Sequence, residues 1–100
     1  MAVISVATLT AGDNWEAFLD SNKQAKVILE KYGAKNVRLL APIAGAEPSG
    51  IFHSTWEADD LATLGRIMDA VYADPDILAM MQSGASSSWT SSILGEIPLA

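Results

Sequence analysis

The chain has 100 residues, of which 50% are apolar, 18% are charged and none is cysteine; six basic against twelve acidic side chains give a net charge of −6. That length and apolar content fit a single domain over residues 1–100 and exclude intrinsic disorder, and the lack of cysteine excludes a disulfide framework and thiol or thiolate chemistry. The acidic balance argues against a nucleic-acid partner, which needs cations to neutralise phosphate, and no apolar run approaches the roughly 20 residues of a membrane span.

The opening segment is apolar but has no basic region of the kind an export signal carries. Its β-branched, partly alternating residues suit a strand, so a cytoplasmic location is the expectation. Strand one is expected over 2–10, with Val3, Ser5, Ala7 and Leu9 on one face and Ile4, Val6, Thr8 and Thr10 on the other. Asp13 and Glu16 have the spacing of a capping box. Helix one then runs from about Asn14 to Tyr32 on a stripe of Trp15, Phe18, Leu19, Asn22, Ala25, Leu29 and Tyr32, widened by Ile28. Gly33 stops it in the left-handed conformation.

Strand two is expected over 36–44, with Val37, Leu39, Ala41 and Ile43 on one face and Arg38 and Leu40 on the other. Pro42 lacks an amide donor, so this strand belongs at an edge or holds a bulge. Residues 45–50 are a turn by composition, and strand three follows over 51–57. There Ile51, His53, Thr55 and Glu57 alternate with Phe52, Ser54 and Trp56. Asp59 and Asp60 cap helix two, whose stripe is Leu61, Leu64, Met68, Val71 and Tyr72. Gly65 inside it suggests close packing against a neighbour. Asp74-Pro75-Asp76 opens a short helix with Ile77, Leu78 and Met81 inward, closed by Gly84. After a loop over 85–88, strand four covers about Trp89 to Ile97.

The order βαββαβ with right-handed crossovers gives an α+β, ferredoxin-like fold: a four-stranded antiparallel sheet with the helices on one face. Apolar residues fall on both faces of the strands. The pattern groups Val3, Leu9, Leu40 and Leu94 on one face, and Ile4, Val6, Ile93 and Ile97 on the other. A sheet wetted on one side alternates cleanly instead. Leaving roughly 300–600 Å² of apolar surface bare forgoes about 7–15 kcal/mol of burial. That rivals the whole stability of a small domain, about 5–15 kcal/mol. A second copy of the chain is the simplest cover, so a homodimer is expected.

The strand and helix order, with Trp56-Glu57-Ala58-Asp59-Asp60-Leu61 at a strand-to-helix junction and Ala73-Asp74-Pro75-Asp76 further on, resembles the dimeric α/β-barrel superfamily. That group includes antibiotic-biosynthesis-monooxygenase-like, NIPSNAP-like and EthD-like small proteins. The resemblance covers nearly the whole chain. It implies two sheets from two chains facing each other as a barrel, and a ligand pocket between sheet and helices. Its haem-degrading members rely on an Asn in the first strand, a Trp in the second helix and a downstream His. Here the first strand has no Asn, Leu64 stands at the helical position, and residues 77–81 contain no His. The resemblance therefore does not carry haem degradation to this chain.

His53 is the lone histidine and the candidate catalytic base, able to take a proton from a phenol or enol. The alternative is a hydrogen-bonded residue in a partly polar barrel interior, since no orienting carboxylate is evident; Glu57, four residues on, is about 13 Å away along a strand. Arg38, Thr55, Ser5 and Ser92 are the candidate ligand contacts around His53, with Arg38 as anion holder or as a solvated edge cation. Trp15 and Tyr72, with Trp56, Trp89 and Tyr32, either line an aromatic pocket or fill the core. Met68, Met80 and Met81 either soften that pocket or fill core gaps. No metal-ligand set, phosphate loop, GxGxxG or nucleophile elbow occurs, so no cofactor is expected. Two functions follow from these residues. One is a homodimer that binds an apolar or aromatic small molecule, with cofactor-independent oxygenation or a related proton transfer open to it, His53 as base and Arg38 as anion holder. The other is a non-catalytic structural or interaction module.

Overall fold

The computed structural model describes residues 2–47, 49–82 and 86–99, the side chains of 86–89 excepted. The elements are β1 (Val3–Ala11), α1 (Trp15–Lys31), β2 (Lys35–Leu40), β3 (Ile51–Ala58), α2 (Leu61–Ala73), α3 (Pro75–Gln82) and β4 (Ser86–Gly95). The four strands form one sheet in the order β2-β3-β1-β4, with every pairing antiparallel. This is the expected βαββαβ topology, with β2 and β4 at the edges.

Local chemistry sets the element ends. The α1 cap is Asn14, whose side chain accepts from the Ala17 amide at 3.0 Å, in place of the expected Asp13. Gly33 follows the helix at φ +105°, the left-handed region where a Cβ is disfavoured. Asp60 caps α2 by accepting from the Thr63 amide at 2.7 Å. Asp74 accepts from the Asp76 amide at 2.9 Å and opens α3, with Pro75 in the first turn where its missing N–H costs nothing.

Several boundaries differ from expectation. Strand two ends at Leu40, before Pro42, because proline cannot donate to the ladder. Residues 41–47, 49 and 50 therefore lie outside the strands, and Ile43 is fully exposed there. Strand four begins at Ser86 and ends at Gly95, so Ile97 lies beyond the sheet. In α2 the inward residues are Leu64, Ile67 and Val71, while Leu61 is exposed in the first turn. No atom stands within 4 Å of a Cβ built on Gly65, so that glycine marks no close packing. In α3, Ile77 is buried, but Leu78 and Met81 are exposed. Gly84 and the side chain of Trp89 lie outside the described residues.

The core joins Ile28, Leu29, Trp56, Leu64, Ile67 and Val71, drawn from β3, α1 and α2, with Val3 of β1 packed against it. Phe18, Leu64 and Ile67 are the largest fully buried side chains. The register then sorts the strand residues. Ile4 pairs with Leu94 and Thr8 with His53, which pairs in turn with Leu40. Directly paired residues of an antiparallel sheet project from the same face. Ile4, Val6, Leu40, Ile51 and Leu94 thus share the face away from the helices, while Val3, Leu9 and Ile93 face them. The expected grouping had exchanged Leu40 and Leu94 with Ile93, because a one-residue uncertainty in strand register moves a side chain to the opposite face.

Candidate functional site

Small side chains leave room between sheet and helices. On the inner face, Ala7 of β1 pairs with Ser54 of β3 and Ser91 of β4, and Ser5 lies two residues along β1. Ala25 of α1 faces this floor across a cavity of about 320 Å³. Trp56, Leu29, Met68, Val71, Ile77 and Met80 supply most of the apolar wall. The volume falls within the roughly 300–1,000 Å³ of small-molecule sites. A flexible methionine-bearing wall adapts to ligand shape.

The polar groups on the wall are few and neutral: Ser5, Ser21, Asn22, Ser54, Tyr72 and Ser91. Asn22 donates from Nδ2 to the Phe18 carbonyl at 2.8 Å, which fixes the orientation of its amide. Burial pushes the Tyr72 phenol above its ordinary value, so it stays protonated, and a potential hydrogen-bond donor, through neutral pH.

The expected site residues divide between the two faces of the sheet. Ser5 and Tyr72 line the cavity. His53, Arg38, Thr55 and Ser92 belong to the outer face, in the pairs Arg38–Thr55, Thr55–Val6 and Val6–Ser92. Ser5 is thus not a neighbour of His53, because consecutive strand residues point oppositely. His53 lines neither the main cavity nor the smaller one beside Arg38. The Thr55 hydroxyl is buried without a hydrogen-bond partner among the described residues. Arg38 is exposed, with its guanidinium 3.8 Å from Glu57. Trp15 stands apart from the cavity and packs on Phe18 and Phe52 at ring distances of 5.6 and 5.3 Å. Of the other aromatics, Trp56 lines the cavity, and Tyr32 donates to Asp74 at 2.8 Å.

His53 does have a carboxylate partner, which sequence reasoning missed. Glu47, in the loop before β3, meets His53 Nε2 at 2.8 Å, and the opposite ring nitrogen, Nδ1, lies 3.2 Å from Thr8 Oγ1. A carboxylate, an imidazole and a hydroxyl in sequence can polarise the hydroxyl. Neither of the two cavities described above is lined by any of this trio. Glu47 is six residues from His53 in sequence, and no periodicity in the sequence signals that the two meet. Asn22, Ser54 and Ser91 were also missed as wall residues; the signal for the strand serines was alternation with His53 and Thr90.

Three helices on one face of a sheet in the order β2-β3-β1-β4, with a cavity between, match several solved structures across nearly their whole length. A NIPSNAP family protein from Agrobacterium tumefaciens superposes with a TM-score of 0.77 at 12% identity, over 100% of this chain and 97% of the other. SnoaB, a cofactor-independent oxygenase from Streptomyces nogalater, gives 0.72 at 13% identity, over 95% and 92%. A DABB family protein with a ferredoxin-like fold from Mesorhizobium loti gives 0.68 at 16% identity, over 98% and 100%. This chain has their fold. The likeness agrees with the resemblance to the dimeric α/β-barrel superfamily drawn from the sequence. No family model matches the chain, and no curated protein matches its sequence.

Proposed function

We propose that the chain is a small-molecule-binding domain that works as a homodimer and holds an apolar or aromatic ligand between its sheet and its helices. The observation that carries this reading is the cavity of about 320 Å³, walled by Trp56 and methionines above a floor of small residues. Filling it tests the reading. A ligand held at about 100 times its Kd stabilises a folded chain by about 2.7 kcal/mol. A neutral aromatic probe is expected to raise the Tm of the natural chain and leave that of Ala25→Phe unmoved. Equal stabilisation of both, or of neither, sinks the binding reading and leaves the structural-module reading.

The second copy covers the outer sheet face, where Ile4, Val6, Leu40, Ile51 and Leu94 stand together. Leu40 and Leu94 are exposed in the single chain, as expected of residues that a partner buries.

Cofactor-independent oxygenation is a second reading, favoured by the fold shared with SnoaB. It needs a base beside the ligand, and His53, the expected base, lies across the sheet from the cavity. Oxygen uptake by the natural chain with a readily oxidised phenol, lost in Ala25→Phe, supports it. Uptake equal in both variants, or absent, removes it.

A further inference from the structure

Among the described residues, no Asp, Glu, Lys, Arg or His lines the main cavity, although the chain carries eighteen Asp, Glu, Lys and Arg side chains. The cavity does contain neutral polar groups able to bond a ligand. Ser5 is 6% exposed as a residue and stands on the floor of the cavity. A hydroxyl at that position can donate to or accept from a ligand oxygen placed against it. Asn22, on the same wall, spends one amide N–H on the Phe18 carbonyl. Its Oδ1 is left to accept a hydrogen bond.

From these groups we infer that the cavity selects an uncharged, flat ring compound bearing a hydroxyl group, and rejects the corresponding carboxylate. The inference rests on the cavity being the ligand site. The ligand hydroxyl donates to Asn22 Oδ1 and accepts from Ser5 Oγ, while its rings lie between Trp56 and the methionine-bearing helices. A carboxylate finds no countercharge on this wall. It would have to shed its hydration without an ion pair, within a protein of net charge −6.

A matched pair of probes tests this: naphthol, neutral at pH 7, and naphthoate, with the same rings and one negative charge. Each is titrated into the full chain by calorimetry, alongside Ser5→Ala, Asn22→Ala and the cavity-filled Ala25→Phe, with circular dichroism to verify folding. Naphthol is expected to bind at least about tenfold more tightly than naphthoate, a difference of about 1.4 kcal/mol. Ser5→Ala and Asn22→Ala are expected to weaken naphthol severalfold and to narrow the gap between the probes. Binding of naphthoate as tight as naphthol, abolished by Ala25→Phe, overturns the selectivity while leaving the cavity as the ligand site. Undiminished naphthol binding by both Ser5→Ala and Asn22→Ala overturns the assigned contacts. Binding of neither probe, or binding that Ala25→Phe does not abolish, overturns the ligand site and the inference together.

Discussion

Asp74 shows how one side chain joins three elements. It sits between α2 and α3, is almost fully buried, and accepts from Tyr32 Oη at 2.8 Å and the Asp76 amide at 2.9 Å. The Tyr32 hydroxyl first, then the Asp76 amide, holds its carboxyl below the usual 3.8, with Lys31 3.8 Å away adding to the effect. A carboxyl whose folded pKa is depressed stabilises the fold above its unfolded value, and that stability is lost as pH falls through the lower folded value. Tyr32→Phe is therefore expected to lower the Tm at neutral pH, with the difference from the natural chain shrinking below about pH 3.8, where the carboxyl becomes protonated in both. Thermal denaturation at a series of pH values checks this. A difference of constant size down to pH 2 would assign the loss to packing of the ring instead. Leu64 offers a comparison free of charge: it is wholly buried, and Leu64→Ala is expected to cost about 2–5 kcal/mol in urea denaturation.

At the scale of elements, caps and turns decide where each segment stops. Asn14→Ala removes the acceptor for the Ala17 amide and is expected to cost about 0.5–2 kcal/mol. Gly33→Ala forces a Cβ into φ +105° and is expected to destabilise by about 1 kcal/mol or more. Urea denaturation measures both. Neutral effects would show that the helix ends are held from elsewhere. Most of this level was legible in the sequence, because 3.6-residue stripes, Asp-Pro-Asp and a terminal glycine act locally. The misplacements have physical causes. Asp13 and Asn14 are both good capping residues, and which one caps depends on where the chain leaves β1. Pro42 breaks the ladder, yet the apolar alternation of Val37, Leu39, Ala41 and Ile43 continues through it and hides where strand two stops. Leu61 fits the α2 stripe by spacing but stands in the first turn, beyond the reach of the core. The site was less legible than the fold. Alternation placed His53 correctly on a face, but register across strands, which is non-local, decides whether Ser5 or Thr8 is its neighbour. Glu47 reaches His53 through a loop whose path no periodicity reports. The cavity arises where Ser5, Ala7, Ser54, Ser91 and Ala25 coincide in space, and of these only Ser5 stands out in the sequence as a candidate contact.

For the whole molecule, the two sheet faces have separate tasks. The inner face carries the core and the cavity, and the outer face carries Ile4, Val6, Leu40, Ile51 and Leu94 around the His53–Glu47 pair. The account predicts a particle of twice the chain mass by light scattering at micromolar concentration. Val6→Asp, a charge at the centre of that face, is expected to halve the mass while leaving the helical circular dichroism intact. A single-chain mass for the natural protein would remove the dimer. Amide chemical-shift mapping with naphthol locates the ligand on one face of the sheet or the other. The account predicts shifts concentrated at Ser5, Ala25, Ser54 and Met68, with Val6, His53 and Leu94 little changed. Shifts confined to the outer-face residues, or no shifts at saturating probe, would contradict it.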